Sequence, residues 1–240
     1  MEAAMELKLE HIVKSFDDNQ VLKDIDFTFK QGEIYALLGR NGSGKTTLFN
    51  ILAGEMPGDS GRVTLSYPEG LRELTTDDLS YMYSDPMLPE FLTGFEFIKF
   101  FMDINQEHLD GDKTIEDYFD IIKIKENDRH KLIKTYSQGM KNKLQMLMFV
   151  ITRPPVILLD EPLTSLDVVV ALEIKRLLRD MRSDHIIIFS THILQLARDL
   201  CDEIVILNEG ELSLLNADQL NNPNFEEEII ELLKEKETNA

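Results

Sequence analysis

A run of glycine and polar residues at 39–46, Gly-Arg-Asn-Gly-Ser-Gly-Lys-Thr, has residue types that can bind phosphate. Its spacing, G-x-x-x-x-G-K-[ST], is typical of a loop whose backbone N–H groups surround phosphate oxygens. In such a loop Lys45 would contact the β- and γ-phosphates of a nucleotide, and the Thr46 hydroxyl would bind Mg²⁺. The sequence therefore predicts a nucleotide-phosphate site; a simple glycine-rich turn before a helix is the alternative.

Two carboxylates end an apolar run at 156–161, Val-Ile-Leu-Leu-Asp-Glu. Such a run predicts a buried strand that delivers Asp160 to its carboxyl end, where open α/β sheets bind ligands. Asp160 would hold Mg²⁺ through water, opposite Thr46, and Glu161 would orient and polarise an attacking water. The alternative is a strand that ends in two solvated acids.

Two weaker signals could belong to the same chemistry. Ser137 and Gly139 stand at the start of a predicted helix, whose N-terminus could bind an anion, although an ordinary N-cap serine has the same sequence. His192 follows a short apolar run and could equally be a capping or core residue. Taken alone, neither signal decides between these alternatives.

The elements before the helical region would position the loop. An apolar run at 33–38 predicts a strand, and the spacing of Leu48, Ile51 and Leu52 predicts a helix over 46–53. Residues 5–35 show the alternation of antiparallel strands. Further short strands are expected at 62–67 and 79–83.

From about residue 92 the pattern becomes helical. Thr93 and Glu96 form a capping-box pair, and helices are expected after this pair, over 114–124 and over 138–151. Strands at 156–159, 186–189 and 204–207 then alternate with helices at 168–181 and 193–200, and 226–236 predicts a charged amphipathic helix. This order predicts an α/β fold: a P-loop NTPase core with an N-terminal antiparallel β-subdomain and an inserted helical subdomain. We expect one domain, 1–240, in which 1–85 and 151–240 form the core and β-subdomain and 86–150 the helical subdomain.

The composition restricts the partners. The chain has 240 residues and a net charge of −19, and this acidic balance argues against a nucleic-acid partner, which would need a basic surface. Its single cysteine, Cys201, cannot form an internal disulfide, which fits a reducing compartment. We expect neither a signal peptide nor a membrane-spanning helix, so contact with a membrane would go through another protein.

Together these segments resemble the ATP-binding cassette (ABC) family over almost the whole chain. GRNGSGKT and VILLDEP are similar to its two nucleotide motifs, YSQGM to its signature loop, TSLD to its D-loop and STH to its switch-histidine segment. Phe16 occupies the position of the aromatic residue that stacks on adenine. In this family the signature loop of one protomer binds the γ-phosphate held by the other. The resemblance therefore implies a head-to-tail dimer on ATP binding, either a homodimer or a heterodimer with a related ATPase.

The resemblance also implies ATP and Mg²⁺ as cofactors and a role for each matching residue. The catalytic residues would be Lys45, Glu161 and His192, and the metal-binding residues Thr46, Asp160 and Ser84. The nucleotide-binding residues would be Phe16, Gly39, Asn41, Gly42, Ser43, Gly44, Lys45, Thr46, Thr47, Ser137 and Gly139.

The signature loop departs from the usual Leu-Ser-Gly-Gly-Gln. Tyr136, Gln138 and Met140 replace three of its residues, whereas Ser137 and Gly139, which contact phosphate in the family, are kept.

Ser84 is the larger departure, because family members usually have a glutamine there that joins Mg²⁺ to the helical subdomain. A serine side chain is shorter, so we expect a water held by Ser84 or Asp85 to fill the metal position. The alternative is that Ser84 only caps a turn before Pro86.

The leading functional hypothesis is an ATPase subunit of a transporter whose membrane subunit is a separate permease chain. The subunit would be cytoplasmic and peripheral, held on the inner face of the cell membrane. A soluble ABC ATPase acting on a non-membrane protein, as in iron–sulfur cluster assembly, is the alternative.

The segment 86–104 bears on this choice. In transporter ATPases it forms the groove that receives a helix of the membrane subunit. Phe91 and Phe95 are the candidates for this contact, whereas Phe97, Phe100 and Phe101 are expected in the subdomain core. The segment also resembles the small ATPase subunits of bacterial exporters, which favours export.

Overall fold

The computed structural model describes residues 4–68, 70–109, 111, 113–164, 166–215 and 229. The strands are β1 (Glu6–Phe16), β2 (Asn19–Lys30), β3 (Ile34–Leu38), β4 (Ser60–Tyr67), β5 (Gly70–Glu73), β6 (Leu79–Met82), β7 (Val156–Asp160), β8 (Ile186–Thr191), β9 (Glu203–Asn208) and β10 (Glu211–Leu214). The α-helices are α1 (Lys45–Leu52), α2 (Gly94–Ile104), α3 (Ile115–Ile121), α4 (Glu126–Arg129), α5 (Gln138–Thr152), α6 (Val168–Met181) and α7 (Leu194–Leu200).

A six-stranded sheet in the order β10-β9-β3-β8-β7-β6 forms the centre of the molecule. Its strands are parallel except for β10, which pairs with β9 in the antiparallel sense. All residues of β3, β7 and β8 are buried, as expected for parallel strands that are covered on both faces. The carboxyl ends of these three strands therefore meet at one edge, which is where α/β sheets bind ligands.

A second, antiparallel sheet has the order β2-β1-β4-β5. Alternate residues of β1, such as Leu7 and Leu9, are buried in the cluster that also contains Leu37 of β3 and Phe49 of α1. The alternation is that of a sheet with one buried face. This sheet therefore packs against the face of the central sheet that carries α1.

The helices between β6 and β7 enclose a hydrophobic cluster of their own. Its fully buried members include Ile98, Phe119, Ile133 and Leu144. At the start of α2 the predicted capping box is confirmed, since Thr93 Oγ1 accepts from Glu96 N at 3.1 Å and Thr93 N donates to the Glu96 carboxylate at 2.9 Å. Among the residues that the structure describes, no helix combines the length and apolar character needed to cross a membrane.

Most predicted elements are confirmed, and the helix over 168–181 has the predicted bounds. The sequence failed to predict β5, β10 and α4. All four residues of β5 are exposed, so no buried alternation marked it. The predicted helix over 114–124 ends at Ile121, and Lys123 has the left-handed φ of 54°. The predicted helix over 226–236 falls outside the described residues except for Ile229.

The phenylalanine side chains of the segment 86–104 differ in part from the prediction in which of them are buried and which are exposed. Phe97 is buried, and Phe101 packs against the helical cluster, as expected. Phe100 was expected in the core, but 58% of it is exposed, because it lies on the outer side of α2. Phe95 packs against the cluster and stacks on Phe119 at 6.5 Å. Of the two interface candidates, Phe91 alone is largely exposed, at 79%.

Candidate functional site

The glycine loop joins β3 to α1 in a conformation that a Cβ atom at position 39 or 44 would prevent. Gly44 has φ 104° directly before α1, and a Cβ there would lie 2.8 Å from Val21 Cγ1. A Cβ on Gly39 would lie 2.5 Å from Ser43 Oγ. Ser43 Oγ is buried and has no hydrogen-bond partner among the described residues. A turn that is closed to Cβ atoms and contains an unsatisfied hydroxyl fits the phosphate group that the sequence predicts.

The Lys45 side chain is folded back over this loop. Its Nζ donates to the backbone oxygens of Gly39 at 2.8 Å and Arg40 at 3.0 Å. Burial lowers the pKa of Lys45, while the negative charges of Glu161 and Asp160 act in the opposite direction. A buried ammonium group that is not directly paired with a carboxylate of any described residue favours an incoming anion.

Asp160 lies at the end of β7 and is buried. Its Oδ1 accepts from the Ser190 hydroxyl, and its Oδ2 accepts from Thr46 Oγ1 at 3.2 Å. Two of the predicted metal-binding residues are therefore in contact. Their hydroxyl and carboxylate oxygens are the kind of ligand that Mg²⁺ prefers.

Glu161 directly follows Asp160 and is held at three points. Its backbone N–H donates to Ser190 Oγ at 3.1 Å, its Oε1 lies 2.8 Å from His192 Nδ1, and its Oε2 accepts from Thr164 Oγ1 at 3.0 Å. Its φ of 50° is unusual for a residue with a side chain. The structure thus brings together two of the predicted catalytic residues, Glu161 and His192.

The contributions of Ser190 and Thr164 were not predicted from the sequence. Ser190 stands opposite Asp160 in the parallel pairing of β7 and β8, which places its hydroxyl between the two acidic residues. Only the strand register reveals this, because 30 residues separate Ser190 from Asp160 in sequence. Thr164 lies three residues after Glu161, which is the spacing of a local turn, and this spacing was the only available signal.

A cavity of about 450 Å³ opens along the loop and the two acidic residues. Its lining gathers most of the predicted residues: Phe16, Asn41, Gly42, Gly44, Lys45, Thr46, Thr47, Ser84, Asp160 and Glu161. Val21, which was not predicted, also lines it. Phe16 at its rim is 43% exposed, so its ring is accessible for stacking. The cavity combines cationic, hydroxyl and carboxylate groups with one exposed aromatic ring, which are the groups that binding of a nucleoside triphosphate with Mg²⁺ would require.

The predicted signature residues do not line this cavity. Ser137 is exposed and caps α5, where its Oγ accepts from Met140 N at 3.3 Å. Gly139 is buried against α6, and a Cβ there would lie 2.9 Å from Val170 Cγ1. Within one chain these two residues are therefore separate from the other predicted nucleotide-binding residues.

Comparison with known proteins identifies the family. The sequence pattern of the family described as ABC transporter matches residues 22–164. The uncharacterized ABC transporter ATP-binding protein YxlF of Bacillus subtilis (strain 168) is 30% identical over 240 residues, which cover 98% of this chain and 75% of the relative.

Two solved structures have the same fold. A structure described as the ATP binding subunit of an ABC transporter superposes with a TM-score of 0.78 at 24% identity and covers 95% of this chain and 99% of that one. A dimeric, post-hydrolysis structure of the ATP-binding cassette MJ0796 with ADP and Pi superposes with a TM-score of 0.70 at 20% identity and covers 88% of this chain and 99% of that one. The chain therefore belongs to the ABC transporter family as an ATP-binding subunit, and it is an ATP hydrolase.

Proposed function

We propose that this ATP hydrolase powers an ABC exporter whose membrane-spanning subunit is a separate chain. The observation that carries the proposal is the exposed apolar surface of the segment 87–104. Met87, Phe91 and Phe100 are 77%, 79% and 58% exposed. Large exposed apolar groups close together in a chain are typical of a protein-binding surface. An apolar helix of the membrane subunit would bury them in the way that the family resemblance implies.

Export is the direction that we propose, because this segment resembles the small ATPase subunits of bacterial exporters. Attachment through the membrane subunit would hold the chain against the inner face of the cell membrane. The net charge of −19 supports attachment through protein, since anionic lipid would repel the chain.

Within one protomer, Lys45 and the loop N–H groups would bind the phosphates of ATP. Glu161 would accept a proton from the attacking water, and His192 would keep the Glu161 carboxylate oriented toward it. Thr46 and Asp160 would hold Mg²⁺, which when bound neutralises charge on the β- and γ-phosphates. Ser84 lies close enough to line the cavity, and we propose that it contributes through water.

The active unit that we propose is a dimer. Ser137 and Gly139 lie outside the cavity of their own protomer, so they are available to contact the γ-phosphate held by a second one. Their position at the start of the 15-residue helix α5 directs backbone N–H groups toward that phosphate. A homodimer and a heterodimer with a related ATPase would both provide this contact.

The test is reconstitution with a multi-span membrane protein, which is sought first among the products of the genes beside the one that encodes this chain. The two proteins are co-expressed and purified in detergent, and ATP turnover is measured for the chain alone and for the complex. We expect a stable complex with raised turnover, because docking would favour closure of the helical subdomain onto the nucleotide. Transport in vesicles then distinguishes export from import.

Phe91→Asp is the informative variant, and Leu71→Asp is its control. Leu71 is 58% exposed on the antiparallel sheet, far in sequence from the proposed surface. Phe91→Asp should lose the complex and the stimulation while keeping basal turnover, and Leu71→Asp should lose neither. Equal effects of both variants, or a soluble binding partner in place of the membrane protein, would contradict the proposal.

A further inference from the structure

Tyr81 is a tyrosine of the central sheet whose hydroxyl has no role in the site described above. It lies on β6 opposite Leu158 of β7 in the parallel register. Residues opposite each other in register share a face of the sheet, and so do residues two apart along a strand. Tyr81, Leu158 and Asp160 therefore project from the same face, and Asp160 is about 6.6 Å further along the strand direction.

The ring of Tyr81 is fixed between this face and α1. Phe49 of α1 meets it edge-on at 5.8 Å, and the Tyr83 ring lies 4.3 Å away. The Tyr81 hydroxyl is buried and makes no hydrogen bond of ordinary geometry with any described residue, although Asp160 lies near enough to act on it as a weak hydrogen-bond partner. Buried hydroxyls without partners are rare in folded proteins because the lost contact with water is not replaced.

Asp160 is the charged residue that acts most strongly on this hydroxyl. Burial raises the pKa of Tyr81, and the negative charges of Asp160 and Glu55 together with a weak hydrogen-bond contact with Asp160 raise it further, so the hydroxyl keeps its proton and can donate. The Asp160 carboxylate accepts a hydrogen bond from the Ser190 hydroxyl on one oxygen and from the Thr46 hydroxyl on the other. A carboxylate offers about four acceptor positions, so it can accept a third donor.

We propose that Tyr81 is a positioning residue for Asp160: its hydroxyl, which has no well-formed hydrogen bond in this structure, donates to the Asp160 carboxylate when Mg-nucleotide is bound. A hydrogen bond that is stronger in one state than in another favours the first state. The bond would hold Asp160 in its metal-binding orientation in a chain that has Ser84 in place of the family's glutamine. The inference rests on the proposed metal site at Thr46 and Asp160.

The test compares Tyr81→Phe with the matched control Tyr83→Phe. Both changes remove one hydroxyl from the same ring pair, but the Tyr83 hydroxyl is hydrogen-bonded to Glu55. Binding of a fluorescent ATP analogue is titrated with and without Mg²⁺, and thermal unfolding is recorded under both conditions. Neither readout depends on turnover.

Tyr81→Phe should reduce the gain in nucleotide affinity on adding Mg²⁺ by roughly tenfold to 100-fold, the scale of one hydrogen bond to a charged group. Its affinity for Mg-free nucleotide should equal that of the wild type. Without nucleotide the variant should be at least as stable as the wild type, because the hydroxyl that it loses is buried and makes no well-formed hydrogen bond. Tyr83→Phe should keep the full Mg²⁺ gain.

Three results would overturn the inference. An unchanged Mg²⁺ gain in Tyr81→Phe would show that the hydroxyl does not act on the metal site. Lower stability without nucleotide, with equal losses of affinity with and without Mg²⁺, would show a purely structural role. An equal loss in Tyr83→Phe would show that the ring pair and not the Tyr81 hydroxyl matters. A wild type without any Mg²⁺ gain would overturn the proposed metal site itself.

Discussion

His192 and Glu161 are hydrogen-bonded across the carboxyl edge of the central sheet, with His192 Nδ1 2.8 Å from Glu161 Oε1. Glu161 directly follows β7 and His192 directly follows β8, and these strands pair in parallel. The second oxygen of Glu161 accepts from Thr164. The carboxylate is therefore held in one orientation, as a general base requires.

Replacing Glu161 with glutamine should separate binding from hydrolysis. We expect Glu161→Gln to lower ATP turnover by about 100-fold or more, because the amide cannot accept the proton of water. Lys45 and the loop remain intact, so ATP should still bind and the dimer should persist. Size-exclusion chromatography with Mg-free ATP and a turnover assay measure both effects.

The wild type provides the comparison for that dimer. Without nucleotide it should be largely monomeric, because two chains with a net charge of −19 repel each other. A Glu161→Gln variant that stays monomeric with ATP at high protein concentration would count against the composite site.

Lys45→Ala should abolish hydrolysis and weaken nucleotide binding. Lys45 is the buried cation of this loop, and loss of one donor to a developing charge typically lowers turnover by about 100-fold or more. Lys8→Ala is a suitable control, since Lys8 makes a half-exposed ion pair with Glu6 on β1. Turnover close to that of the wild type in Lys45→Ala would refute the assignment of the loop.

The sequence predicted those parts of the site that lie within one continuous segment. The glycine loop and the pair Asp160–Glu161 each combine an apolar strand with functional groups at its end, so local spacing was sufficient. Ser190 was not predicted because its role depends on the register of β7 and β8. An apolar run predicts a strand, but it does not predict which residue of the next strand stands opposite.

Ser190→Ala should therefore affect both folding and catalysis. The hydroxyl joins the Asp160 carboxylate to the backbone N–H of Glu161, and its loss leaves buried polar groups without partners. We expect the free energy of unfolding to fall by about 1–3 kcal/mol and turnover to decrease. Urea unfolding with the exposed Ser183→Ala as control measures the first effect. An unchanged midpoint and unchanged turnover would show that Ser190 is dispensable.

His185 gives the fold a dependence on pH. It is buried, its Nδ1 lies 2.6 Å from the Pro154 oxygen, and burial lowers its pKa below the ordinary 6.5. The unfolded chain then takes up a proton at a higher pH than the folded chain, so stability is lost as pH falls below about 6.5. His185→Asn keeps a donor but cannot titrate, and it should flatten this slope. Urea unfolding between pH 5 and 8, with His108→Asn as control, measures it; equal slopes would contradict the prediction.

The exposure of individual side chains was harder to predict than the helices and strands themselves. Helical spacing placed Phe97, Phe100 and Phe101 on one helix, but their environments differ because the face that α2 buries is set by α3 and α5. The edge strand β5 and the four-residue helix α4 bury few apolar side chains, so neither has a periodic pattern of apolar residues in the sequence. Tertiary contacts decided these features, and local propensity did not.

The last prediction concerns Ser84. The family's glutamine at this position would reach Mg²⁺, whereas a serine side chain is shorter. Ser84 lines the cavity with Thr46 and Asp160, yet it is exposed. Mg²⁺ keeps several waters in most protein sites, so a water can fill the position without loss of octahedral geometry. We therefore expect Ser84→Ala to change the Mg²⁺ dependence of turnover only mildly.

Thr46→Ala and Asp160→Asn are the matched comparisons and should be severe, since each removes an oxygen group that is in hydrogen-bond contact with the other. Turnover measured against Mg²⁺ concentration for the three variants gives the ranking. A crystal structure with Mg-ATP then decides the geometry. A Ser84 Oγ at roughly 2.1 Å from the metal would show direct coordination and contradict the water bridge. A metal shell distant from both Ser84 and Asp85 would leave Ser84 as the cap of the turn before Pro86, and Ser84→Ala would then leave the Mg²⁺ dependence unchanged.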